Sequence, residues 1–312
     1  MLSRSAERLY WLARYLERTE NSARLLSVYM NLMFDLPLGV EMSWRYLLNI
    51  CGAEEAFFHL YQEPNEQNTM SFLLTETANP GSLFSSLQFA RENIRTSRDQ
   101  MPDEAWQLVN EMYLYAKNNS ALVSQRRGRV LFLQEIMQGC QRFTGFLSGA
   151  MSHDHALRFI RLGRSIERAD MTTRILDIGS LLLADNRSEI MREYESSLWI
   201  NVLKSLSAFL MYRKHRRHRI NSDDVLDYLL KDKDFPRAVV HCIKELQRYI
   251  YLLPNAGGLK ESLIKLELFL LDVNIKKTTP TQLHELLDYI QAHLGDTHNQ
   301  IAAAWFLPKY GT

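Results

Sequence analysis

The string Arg14-x-x-Glu17-Arg18-x-Glu20-x-x-x-Arg24 returns 150 residues later as Arg164-x-x-Glu167-Arg168-x-Asp170-x-x-x-Arg174. Five charged positions agree in type, and Leu12/Leu162, Leu16/Ile166 and Leu26/Leu176 match on the apolar side. Further along, Trp44 pairs with Trp199 at a displacement of 155, then Phe72-Leu73-Leu74 with Tyr228-Leu229-Leu230 and Pro80 with Pro236 at 156. Self-similarity at one fixed period means that one structural unit has been made twice, so whatever the first half folds into, the second must fold into as well. The chain therefore reads as a tandem duplication with halves 1–150 and 151–312, joined near Gly149 to Ser152 and packed as one compact unit.

The repeated unit is helical. Thirteen glycines and eight prolines in 312 residues fall well below the usual shares of about 7% and 5%, so turns are sparse. Apolar residues recur at three-four spacing almost throughout, and the breaks coincide with Pro, Gly or Asn/Asp clusters. The pattern predicts about twelve helices. Six run roughly over 6–34, 41–61, 69–76, 81–100, 103–119 and 128–147, and six more over 155–184, 188–215, 222–230, 235–253, 258–273 and 282–306. The expected fold class is all-α, a tandem-duplicated helical bundle of two pseudo-symmetric six-helix halves.

Charge limits the function classes. With 37 Lys and Arg against 36 Asp and Glu the formal charge is +1, so no global field exists to hold nucleic acid or an anionic membrane, and recognition through charge must be local. Cys51, Cys140 and Cys242 lie far apart with no CxxC spacing, which argues against a disulfide framework or a thiolate metal site. No stretch has the length and apolarity of a signal sequence or a membrane span, and the expectation is a cytoplasmic protein without membrane contact.

On a helical wheel Leu9, Leu12, Tyr15, Leu16, Thr19, Ala23 and Leu26 form one face of the first helix, and Tyr10, Arg14, Glu17, Arg18, Glu20, Asn21 and Arg24 the other. Arg164, Glu167, Arg168, Asp170 and Arg174 take the corresponding angles in the second copy. A solvated salt-bridge face would tolerate shuffling, since exposed pairs are worth only about 0.3–0.5 kcal/mol each. Here the charges agree in type while Asn21/Met171 and Ser22/Thr172 differ. A pseudo-two-fold axis would bring both charged faces to one partly buried seam. Two readings of that seam stay open. It is a closed network that stabilises only by mutual satisfaction, or a pocket in which guanidinium groups take a carboxylate or phosphate while Glu17 or Glu167 takes an amine or acts as base.

The segment Leu2-Ser3-Arg4-x-Ala6-Glu7-x-Leu9-Tyr10-Trp11-x-x-Arg14-Tyr15-x-Glu17-Arg18-x-Glu20-Asn21-x-Ala23-Arg24 resembles the opening signature of the bacterial alpha-E domain family. Asn79-Pro80-x-Ser82, Ala90-Arg91-Glu92-Asn93-x-Arg95-x-x-Arg98, Trp106, Asn110, Arg158-Phe159-x-x-Leu162-Gly163-Arg164-x-x-Glu167-Arg168-Ala169-Asp170 and Phe235-Pro236-Arg237 support it in order. The resemblance implies an all-helical domain encoded beside or fused to a circularly permuted ATP-grasp protein, often with a transglutaminase-like protein and sometimes a proteasome-like peptidase. It implies a role in forming or modifying peptide bonds on a peptide or amino-acid substrate, with ATP used by the partner and no cofactor bound directly. Where the family's second proline segment commonly continues with Ser, this chain has Ala238, which weakens any role for a hydroxyl there.

On this reading Glu17 and Glu167 are the candidate catalytic groups, and Arg14, Arg18, Arg24, Arg164, Arg168 and Arg174 the candidate substrate-binding groups. Arg91 and Arg95, on a basic ridge with Arg98, are further candidates for anion contact. The rival is a non-catalytic assembly module that docks the ATP-grasp protein, the seam only locking the halves. The run Arg213-Lys214-His215-Arg216-Arg217-His218-Arg219 reads mainly as cations facing a helix carboxyl end, and nothing beside it makes a nucleic-acid platform. His153-Asp154-His155 reads as a helix start with Asp154 as its cap. No metal site is expected in the chain: at Glu17/Glu20 and Glu167/Asp170 the Glu-x-x-His of carboxylate di-metal bundles is missing and the neighbouring arginines repel cations. There is no Walker loop, GxGxxG, GxSxG or usable Cys/His pair, and the five tryptophans read as packing anchors.

Overall fold

A computed structural model of the chain describes residues 2–35, 43–184 and 189–307. Every regular element among them is helical: α1 (Ser3–Asp35), α2 (Arg45–Ile50), α3 (Glu54–Leu60), α4 (Glu66–Leu74), α5 (Leu83–Arg95), α6 (Asp103–Asn118), α7 (Arg126–Ala150), α8 (His155–Ala184), α9 (Glu189–Ser205), α10 (Phe209–His215), α11 (Ser222–Lys231), α12 (Val239–Tyr251), α13 (Leu259–Asp272) and α14 (Pro280–Ile301). The protein is all-α. The chain divides into two compact units, Met1–Met30 with Glu41–Arg164 (unit 1) and Asn31–Val40 with Ser165–Thr312 (unit 2).

Two of the expected helices are broken, and for the same reason. The segment expected as one helix to residue 61 becomes α2 and α3, and the one expected to residue 215 becomes α9 and α10; their expected starts, Glu41 and Ser188, lie outside the described residues. Gly52 has φ +61° and Ser207 φ +54°. Around Gly52 the amide of Ala53 donates to Leu48 O at 2.9 Å and that of Gly52 to Asn49 O at 2.9 Å. Around Ser207 the amide of Ala208 donates to Leu203 O at 2.7 Å and that of Ser207 to Lys204 O at 3.0 Å. Each is the paired hydrogen-bond closure that ends a helix through a left-handed residue. Glycine adopts that conformation without penalty, whereas an L side chain there costs about 1–2 kcal/mol. Ser207→Gly is therefore expected to raise stability by about 1 kcal/mol, read as an increase in the urea midpoint at unchanged slope.

Capping explains several other starts. Asn65 accepts from the Asn68 amide at 2.9 Å to begin α4, and Asn221 from the Asp224 amide at 2.9 Å to begin α11. Ser82 caps α5 through the Ser85 amide, while α12 starts at Ala238 with no side-chain cap. Asp154 accepts from the Ala156 amide at 2.9 Å, as expected of a cap for α8. Thr279 and Gln282 form a reciprocal capping box at α14.

The expected apolar stripe of α1 is core: Leu9, Leu12, Leu16, Ala23 and Leu26 are buried. Two aromatic assignments reverse. Tyr10, read as part of the charged face, is fully buried, and Tyr15, read as core, is half-buried against Trp11 and Phe89. Glu17, Glu20 and Asn21 are buried as deeply as the leucines. Of the tryptophans, Trp199 alone is fully buried; the other four are half-buried.

Candidate functional site

In unit 1 the charged row of α1 meets the first ten residues of α8 and the face of α7. Glu17, 3% exposed, accepts from Arg164 Nε at 3.0 Å on Oε2 and from Asn21 Nδ2 at 3.3 Å on Oε1. A glutamate of the first motif copy is thus paired with the leading arginine of the second. One turn on, Arg24 grips Glu20 Oε1 through Nε at 3.0 Å and Nη2 at 2.7 Å. The two helices can approach this closely because of Gly163: a methyl group there would lie 2.1 Å from Tyr10 O.

Behind the carboxylates is a cavity of about 20 Å3 lined by Glu17, Glu20, Cys140, Thr144, Arg161 and Arg164 on a floor of Leu16, Phe143 and Ile160. That is room for about one water molecule. Burial pushes the Cys140 thiol well above its usual range, and Glu20 and Glu17 push it further. It stays a protonated thiol, and the nucleophile is the thiolate.

Of the other candidates of unit 1, Arg14, Arg18 and Arg91 are half-buried and Arg95 is exposed. Arg14 lies 4.8 Å over the Trp11 ring and Arg18 5.8 Å over Tyr15. Trp11 stacks on Tyr15 at 5.4 Å and Tyr15 meets Phe89 at 5.2 Å, with Phe89 39% exposed. These side chains form one partly exposed aromatic and guanidinium ridge. Arg91 sits elsewhere, bonded to Asn110 Oδ1 at 2.8 Å and stacked 4.8 Å over Tyr113. Arg95 pairs with Glu92 at 2.7 Å in the open, and each holds the other in its charged form.

In unit 2 Glu167 is buried, Arg174 pairs with Asp170 at 2.8 Å, and Arg168 donates to Pro236 O at 3.4 Å. Thr172 Oγ1 donates to Arg237 O at 3.0 Å, so the Phe235-Pro236-Arg237 segment is tied to α8 through backbone carbonyls. No hydroxyl is required at position 238.

The basic run closes on its own unit. Arg213, Lys214 and His215 form the last turn of α10, as expected of cations at a carboxyl end. Arg216 pairs with Asp227 at 3.3 Å and His218 Nε2 with Asp224 at 2.6 Å. The His218 and Asn221 hydrogen bonds hold the Asp224 carboxyl below its usual 3.8. A carboxyl depressed in the fold contributes stability at pH above its unfolded value and loses it as pH falls through the lower folded value. The melting temperatures of wild type and Asp224→Asn should therefore differ at neutral pH and converge below about pH 4.

One cluster was not found from the sequence. Asp177 of α8 and His284 and Asp288 of α14 bring donor atoms within 4.8 Å of one another. The Asp177 hydrogen bond holds the His284 pKa above its usual 6.5. His284 and Asp288 sit at i and i+4, but Asp177 is more than 100 residues away, and only the fold joins them.

The chain matches the Alpha-E family, described as a predicted alpha-helical domain with a conserved ER motif, over residues 1–306. It belongs to that family. Glu-Arg pairs occur at Glu7-Arg8, Glu17-Arg18 and Glu167-Arg168. Uncharacterized proteins of Mycobacterium bovis and Mycobacterium tuberculosis are 22% identical over 307 residues, covering 92% of this chain and 34% of each relative. The chain thus spans about a third of the length of those curated relatives. No solved structure matches. Among the described residues no helix of this Alpha-E protein is long and apolar enough to cross a membrane.

Proposed function

We propose that this Alpha-E chain is a helical assembly module that docks a circularly permuted ATP-grasp protein of a peptide-forming or peptide-modifying system, with its Arg/Glu row as internal frame. The observation that carries this reading is the closure of the row in unit 1. Glu17 is occupied by Arg164 and Asn21 beside a space of about 20 Å3, whereas small-molecule sites run to about 300–1,000 Å3. An amino acid or peptide held by Arg164 with Glu17 as base would need more room than this cavity offers. The protonated Cys140 supplies no nucleophile. That the matching segment is about a third of each mycobacterial relative fits a module that works beside other domains.

The ridge of Trp11, Tyr15 and Phe89 with Arg14 and Arg18 has the composition of an interface centre, where aromatic and arginine side chains carry most of the energy. A tandem duplication accounts for the chain's organisation. Helix order is the same after α1 and after α8, and the breaks at Gly52 and Ser207 and the caps at Asn65 and Asn221 fall at displacements of 155 and 156.

The test is calorimetric titration of the chain with its neighbouring ATP-grasp protein. Binding is expected, with Phe89→Ser and Arg14→Ala each weakening it at least about tenfold. Binding of a carboxylate-bearing peptide by the isolated chain, lost in Glu17→Gln, would overturn this reading in favour of a substrate site.

A further inference from the structure

Asp177, His284 and Asp288 combine two donor types on two rigid supports. Leu176 beside Asp177 is fully buried, and Leu283, Leu287 and Ile290 of α14 are buried around His284 and Asp288. The core therefore fixes the backbone from which all three donors project. His284 Nδ1 lies 2.8 Å from Asp177 Oδ1, and His284 Nε2 lies 3.5 Å from Asp288 Oδ2. Asp177 is largely covered while Asp288 is 60% exposed, so one carboxylate is anchored and the other is free to swing towards a shared ion.

We propose that these three residues form a binding site for a first-row divalent transition metal, of which zinc is the representative. An ion on His284 Nδ1, between the ring and Asp177, is completed by Asp288 swinging round from the i+4 position of the same helix, where the two side chains are surface neighbours. Imidazole with carboxylate oxygens suits zinc, cobalt, nickel, iron or manganese, whereas calcium and magnesium take oxygen ligands. Two carboxylates and a neutral imidazole carry a charge of −2 that a divalent ion cancels. Three protein donors leave coordination positions for water, as in open rather than closed zinc sites.

The same geometry also describes a protonated imidazole bracketed by two carboxylates, and metal and proton compete for the one ring nitrogen. Cobalt titration of the metal-stripped full chain at mildly alkaline pH separates the two. One Co2+ per chain is expected, with a visible ligand-field band that one equivalent of Zn2+ abolishes. His284→Asn and Asp177→Asn should each weaken binding by more than about tenfold, since loss of even an outer-shell partner costs that much, while circular dichroism of both variants stays native. His218→Asn, which alters another His/Asp pair, should leave binding unchanged. The proposal fails if no stoichiometric binding appears at micromolar metal, if binding survives both substitutions at the cluster, or if it is lost in His218→Asn. The outcome is independent of the docking reading, because neither the ATP-grasp protein nor the ridge on unit 1 takes part in it.

Discussion

Gly163→Ala is expected to destabilise the chain by about 3 kcal/mol or more, enough to leave it partly unfolded at physiological temperature. The methyl group would sit 2.1 Å from Tyr10 O, 3.0 Å from Tyr10 C and 3.2 Å from its Cα. All three are backbone atoms of a helix buried on both faces, so no rotamer change relieves the clash and the helices must separate. Overpacking by one methylene typically costs about 1–3 kcal/mol when side chains can move, and more when they cannot. Separation would also stretch the Arg164 to Glu17 bond at the next residue. Gly145→Ala is the control, being the same change within α7, towards its carboxyl end, at an exposed position with nothing within 4 Å of the new methyl. There only helix propensity acts, and a gain of about 0.5–1 kcal/mol is expected. Urea unfolding of the two variants side by side reads opposite signs from one chemical change. Equal effects would mean that the close crossing at Gly163 does not exist.

That crossing explains why some features could be read from the sequence and others could not. Helical period and the repeat are local patterns, and they located the elements and the apolar stripe of α1. The wheel could assign charged residues to a face but could not say that the face is covered: Glu17 and Glu20 are buried beside side chains of residues 140–164. Tyr10 is buried for the same reason, since α8 crosses directly over it at Gly163. The break at Gly52 carried a glycine that could have been read as a stop, but the matching break at Ser207 carried no such residue, and only the repeat could have pointed to it. The Asp177, His284 and Asp288 cluster left one local trace, the His284/Asp288 spacing, which on its own is common on helix surfaces.

Arg164→Met is expected to cost about 3 kcal/mol, although it removes a pair no shorter than many on the surface. Burial sets the magnitude. Arg95 and Glu92 approach to 2.7 Å with both side chains more than half exposed, and Arg95→Met should leave the urea midpoint unchanged because water solvates whichever partner remains. Arg164 and Glu17 are 3.0 Å apart with side chains 21% and 2% exposed. Removing the guanidinium takes the charged partner from a deeply buried carboxylate, a loss of about 3–5 kcal/mol for buried pairs. Removing both charges is a different experiment. The surrounding wall of Ala13, Leu16, Phe143, Leu147, Leu157 and Ile160 is apolar, and buried ion pairs replaced by apolar groups of similar volume are often neutral. The double variant Glu17→Met with Arg164→Met should therefore recover more than half of the stability lost in Arg164→Met, read by urea unfolding as a strongly non-additive cycle. Because the fold is restored without the charges, the same variant separates frame from substrate site. A module whose Arg/Glu row is only a frame keeps its affinity for the ATP-grasp protein and its contribution to that protein's turnover. If turnover is lost while folding and docking survive, the carboxylate of Glu17 is needed for chemistry and the assembly reading is wrong.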